Sequence, residues 1–116
     1  MPIDLLIKSN RLPDGSLMST CAGWPTYREL WVPGIAELKL ERLRDLVELG
    51  RVEITPSNRD DVVAELSRLR DWINSKLATQ GNHEPEIETN ERNFIDTCIR
   101  LIADYVDDDC TEAGIF

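Results

Sequence analysis

The chain carries one histidine, His83, and only three cysteines, Cys21, Cys98 and Cys110. GxxxxGK[ST], GxGxxG and HExxH are all missing, which excludes the motif-defined phosphate cradles, dinucleotide sites and zinc proteases. His83 stands in a Gly-Asn-His-Glu-Pro stretch with no serine or cysteine nucleophile beside it. It reads as a solvated loop histidine, and as a general base only if folding supplies a partner. The cysteines are odd in number and none has a close second, so a zinc site built from ligand pairs is not expected. Cys98 and Cys110 would lie about three turns apart on a continuous helix, too far for a disulfide along one face. Cys21 can meet either of them only through folding.

Long apolar runs are also missing. No stretch approaches the ~20 residues that span a bilayer, and the opening MPIDLLIKSN has an acid at position 4 that interrupts its short apolar run. The expectation is a cytoplasmic protein with reduced thiols. Clustered cations are lacking too. Lys39, Arg42, Arg44 and Arg51 come nearest, but Glu37, Glu41, Asp45 and Glu48 interleave with them as on an ordinary solvated helix. Direct nucleic-acid binding is therefore not expected. Asp107, Asp108, Asp109 and Glu112 do not form a calcium loop, because consecutive acids diverge and no glycine provides the turn. Neither a metal nor a cofactor is expected.

What the chain does have is an uneven charge. Its net charge is −9, and residues 81–116 hold ten acids against Arg92 and Arg100 alone. Residues 1–34 and 57–80 are each neutral, and residues 35–56 sum to −1. The last third would repel phosphates and anionic lipids and attract a basic surface.

The 116 residues, 41% of them apolar, suffice for one domain that buries a core without disulfides or metals. The dominant element is a helix over 90–106. Phe94, Ile95, Cys98, Ile99, Leu101, Ile102, Tyr105 and Val106 cover an arc of about 160°, which requires the helix to lie within the core. Residues 3–8 predict a strand, Leu12-Pro13-Asp14-Gly15-Ser16 a turn, and 17–21 a returning strand. Trp24, Tyr27 and Trp31 make 26–32 read as a strand, with one or two helical turns after Pro25 as the other reading.

Ala36, Leu40, Leu43 and Val47 predict one helix over 35–49, stopped by Gly50. Alternation predicts a strand over 51–55, and Ser57 or Asn58 caps a helix that runs to about residue 77. Val62, Leu66, Leu69, Ile73 and Leu77 share an arc of about 80° on that helix. Residues 78–88 read as a polar connection, and 107–116 as a tail without period. The fold expected is α+β: a small sheet of two to four strands covered on one face by about three helices, in a single two-layer domain. A helical bundle bearing a hairpin is the alternative.

The functional expectation follows from the charge. It is a small, acidic protein-binding protein that masks or inhibits a basic, nucleic-acid-acting partner, its carboxylates standing where phosphates would lie. In class it resembles the small acidic bacterial proteins that neutralise toxins, namely immunity proteins and some antitoxins. The expected contact residues are Glu84, Glu86, Glu88, Glu91, Asp104, Asp107, Asp108, Asp109 and Glu112, with Trp24 or Trp31 as an apolar anchor. The Trp24, Tyr27 and Trp31 group reads first as aromatics that close the core of a small domain, ahead of an interface anchor. Two other classes stay open: a small enzyme or ligand-binding domain with a pocket around His83, and a subunit of a larger assembly that covers part of the apolar arc.

Overall fold

Alternation along the first seven-residue strand fixes which way the sheet faces. In β1 (Ile3–Ser9), Ile3, Leu5, Ile7 and Ser9 are buried on one face, while Leu6 and Lys8 lie on the other. A computed structural model describes residues 3–23, 26–80 and 85–116, and the side chains of all of these except 77–80 and 85–93. β1 turns into β2 (Ser16–Ala22) through the expected Pro-Asp-Gly stretch, with Gly15 at φ +80° and its carbonyl accepting the Ser9 N–H at 3.0 Å. Among the described residues the sheet is four-stranded and antiparallel, in the order β2-β1-β4-β3, where β3 is Val52–Glu53 and β4 is Cys110–Ile115. The α+β expectation holds.

The expected tail is instead a central strand. β4 lies between β1 and β3, with Leu5 opposite Ile115 and Ile7 opposite Ala113. Its period is hidden because only Ala113 and Ile115 are buried, and alanine is a weak hydrophobic mark. Gly114 fits because a Cβ there would stand 3.0 Å from the Val52 carbonyl oxygen of β3.

The 26–32 stretch is a π-helical turn over Tyr27–Trp31, not a strand. Tyr27 and Trp31 lie four residues apart and both are buried, their ring centroids 6.4 Å from each other. Pro33 follows, at the start of α1 (Val32–Leu38). Proline cannot donate to the carbonyl four residues back and its ring crowds that position, so a widened turn before it relieves the conflict.

One helix was expected over 35–49; there are two. α1 closes at Lys39, which has φ +55°, with Leu40 N–H donating to the Ile35 carbonyl at 3.1 Å in a Schellman closure. Glycine usually marks such a stop, and lysine hides it. α2 (Glu41–Leu49) then starts afresh, its N-terminal Arg42 and Leu43 N–H groups donating to the Glu65 carboxylate at 2.9 and 3.0 Å. The new axis turns Leu43 and Leu46 inward and leaves the expected core residue Val47 exposed. Gly50 terminates α2 at φ +80°, as expected.

α3 (Arg59–Gln80) buries Val62, Leu66, Leu69 and Ile73, and α4 (Pro85–Tyr105) buries Ile95, Cys98 and Ile102, with Val106 buried just beyond its end. Both helices run past the bounds expected of them, taking in most of the residues assigned to a polar connection. Asn58 precedes α3, but its side chain holds the incoming loop, accepting from Thr55 N–H at 2.7 Å and donating to the Glu53 carbonyl at 3.0 Å. α4 lies across β2 and β1, and α3 packs on α4, α1 and α2, so the apolar helix does occupy the centre. The buried sector of α4 is narrower than its apolar arc, because Phe94 is exposed and Ile99, Leu101 and Tyr105 are half-buried.

Candidate partner-binding site

The acids of the last third are spread along α4 and into β4. Glu86, Glu88 and Glu91 belong to the first two turns of α4, whereas Asp104 lies in its last turn. At 1.5 Å per residue, Glu86 and Asp104 are separated by about 27 Å along the helix. These acids therefore stand at the two ends of one helix. The side chains of Glu86, Glu88 and Glu91 lie outside the described ones, as Glu84, His83 and Trp24 lie outside the described residues. Glu112 lies on the sheet face turned away from the helices, with its carboxylate 3.1 Å from Lys8 Nζ on the neighbouring strand. Trp31 is fully buried and serves the core, so it is no surface anchor.

What remains together is a corner. The end of α4, the start of β4, the β1–β2 turn and the start of α3 all meet there. Val106 closes the helix, and the chain turns through Asp107, Asp108 and Asp109, with Cys110 N–H donating back to the Asp107 carbonyl at 3.0 Å. Asp107 Oδ1 accepts the Asp109 N–H at 3.0 Å, tightening the turn. Asn10 N–H donates to the Asp109 carbonyl at 3.1 Å, which fixes the turn against the hairpin.

Acids at a helix C-terminus oppose the macrodipole. Two arginines from elsewhere in the chain offset this cost. Arg11 donates to the Asp104 carbonyl at 2.9 Å and to the Asp107 carboxylate, and its guanidinium lies 5.4 Å from the centre of the Tyr105 ring. Arg59 donates to the Val106 carbonyl at 3.1 Å and pairs with Asp60 at 3.3 Å. Desolvation pushes the Asp107 carboxyl up, but the Asp109 N–H and Arg11, helped by Arg59, outweigh it and hold it below the ordinary carboxylate range.

The carboxylates of Asp104, Asp108 and Asp109 differ from that of Asp107. All three residues are exposed, and among the described residues no cation pairs with them. Asp60, the ion-pair partner of the Arg59 that reaches the helix end, has its side chain 91% exposed, so this contact leaves it open to solvent. Of the residues expected to contact a partner, the structure brings Asp104, Asp107, Asp108 and Asp109 together. Sequence reading missed Arg11, Arg59 and Asp60. Asp60 carried a visible signal, since acids in the first turn of a helix point to that end, but nothing in the sequence placed that end beside residue 106.

Four surface grooves are lined without serine, cysteine or histidine. One, of about 380 Å³, runs along Leu6, Leu49, Gly114 and Phe116 on the open side of the sheet. Another, of about 510 Å³, lies between α1 and α2 against Ile35, Leu40 and Val47. Among the described residues, no three histidine, cysteine, aspartate or glutamate side chains converge as metal ligands would. No described helix is long and apolar enough to cross a membrane. Comparison with family models, with curated proteins and with solved structures found no match.

Proposed function

We propose that the chain binds a basic protein through the corner formed by Asp104, Asp108, Asp109 and Asp60, and that it masks a nucleic-acid-binding surface on that partner. The observation that supports this reading is the division of labour among the corner's charges. Arg11 and Arg59 are held by backbone carbonyls, Asp107 and Asp60, while three carboxylates from one short segment face solvent. Exposed carboxylates on a braced turn attract a cationic partner at long range and meet it with little loss of side-chain freedom. Aspartate suits this role, since its short side chain is held near the backbone that Asp107 and Asn10 fix. The proposed setting is the cytoplasm, and the mode is that of immunity proteins and antitoxins in class.

The test begins with the tagged chain in an extract of its host. The reading expects a basic protein to be retained at low salt and released as salt rises, and a nucleic-acid-directed activity of that protein to fall on binding. Retention only of acidic or neutral proteins, unaffected by salt, overturns it.

A second reading, a subunit of a larger assembly, is favoured by one observation. On the open sheet face Leu6 stands opposite Met18, which is 60% exposed, with Phe116 (45%) at the end of the next strand and Leu49 (72%) close by. Light scattering distinguishes the two, since the corner reading needs no self-association.

A further inference from the structure

Cys21 lies near the end of β2 and Cys98 in the middle of α4, separated by 77 positions in the chain. Folding sets their sulfurs 2.9 Å apart, with both residues fully buried. A covalent S–S bond is about 2.05 Å long, so closure asks for an approach of about 0.9 Å. Core packing alone explains one buried cysteine as a small hydrophobe; it does not require two thiols from distant segments to meet sulfur to sulfur. The third cysteine is placed apart. Cys110 lies on β4, on the far side of β1 from β2, with its sulfur 3.5 Å from the Glu112 carbonyl.

We propose that Cys21 and Cys98 are a redox pair, joined by exchange with a small disulfide such as oxidised glutathione into a cross-link between β2 and α4. In the first step one cysteine thiolate attacks the small disulfide, breaks its S–S bond and releases one small thiol. In the second, the other cysteine's thiolate attacks the protein sulfur of the mixed disulfide, forms the Cys21–Cys98 bond and releases the second small thiol. The two cysteine protons end on the two small thiols, so two cysteines are oxidised and one small disulfide is reduced.

Exchange on the closed protein is slow for a physical reason. The hydrogen bond to Cys98, burial, and the negative field of Cys98 and Asp4 together push the Cys21 thiol well above its ordinary range. Reaction therefore proceeds when β2 lifts from α4, and the cross-link then holds them together. It encloses the π-turn, α1, α2, β3, α3 and the first half of α4, a long loop whose closure restricts the unfolded chain strongly. The acidic corner takes no part, so this inference stands independently of the proposed function.

The test uses the full chain, held either with dithiothreitol or with oxidised glutathione, then acid-quenched, unfolded, alkylated and mapped by mass spectrometry. After oxidation, a peptide pair linked through Cys21 and Cys98 is expected, with Cys110 alkylated or carrying glutathione. The thermal midpoint should rise by roughly 10 °C or more and return on reduction. Cys21→Ala should abolish both the link and the rise; should that variant fail to fold, mapping of the unsubstituted chain decides alone. The inference is overturned if Cys21 and Cys98 stay alkylatable under conditions that modify Cys110, or if the link found involves Cys110.

Discussion

Arg11 in the β1–β2 turn and Asp107 just beyond α4 form an ion pair across 96 positions of sequence. Among the described residues the same guanidinium pairs with no other acid, and it also donates to the Asp104 carbonyl. A cation from the neutral first third thus braces the most acidic part of the chain without neutralising all of it. Asp107 is consequently a structural residue, and the acids that stay available are its neighbours.

The pH dependence of stability follows from this pair. The Asp107 carboxyl is held low in the folded protein, so its contribution is complete above the unfolded carboxylate value of about 3.9 and is lost as pH falls through the folded value. Asp107→Asn should lower the melting midpoint at pH 7, and the difference from the parent should shrink below about pH 4. Thermal denaturation of both proteins across that range checks it. A gap that stays constant into acid would contradict the pairing.

Glu65 holds the start of α2 from a helix that follows it in sequence, accepting from Arg42 and Leu43. Glu65→Ala should cost about 0.5–2 kcal/mol, as loss of a cap does. Glu65→Gln keeps an acceptor oxygen and should cost less. Urea denaturation of the two variants measures the difference.

Gly34 brings α1 close against α3, since a Cβ there would lie 2.7 Å from Leu69 Cδ1 and 2.8 Å from Trp72 Cε3. Leu69 is fully buried and cannot swing aside freely. Gly34→Ala should therefore destabilise by about 1–3 kcal/mol despite alanine's better helix propensity. A neutral or stabilising result by the same urea measurement would show that α1 can shift outward.

Elements marked by local chemistry were legible in the sequence. The Pro-Asp-Gly turn, the alternation around Val52 and Ile54, the Gly50 stop and the apolar side of α4 all carry their cause within a few residues. The failures have two other sources. β4 depends on pairing with β1 and β3, and the fresh start of α2 on Glu65, both distant in the chain; the stop at Lys39 and the π-turn before Pro33 are local but lack the residue that usually marks them. The candidate site divides the same way. Charge counting found Asp104 to Asp109, and a helix over 90–106 already set Glu86 to Glu91 at its other end, but neither could show Arg11 and Arg59 reaching the helix end.

The central claim rests on the three exposed aspartates Asp104, Asp108 and Asp109, and the most direct measurement is the association rate with the captured basic partner. The parent is compared with a variant carrying Asp104→Asn, Asp108→Asn and Asp109→Asn, with Asp107 left intact to preserve the Arg11 brace. The account predicts an association rate lower by about tenfold or more at low ionic strength, a gap that closes toward physiological salt, and a dissociation rate within about twofold of the parent. Equal association rates for parent and variant at low salt would contradict it.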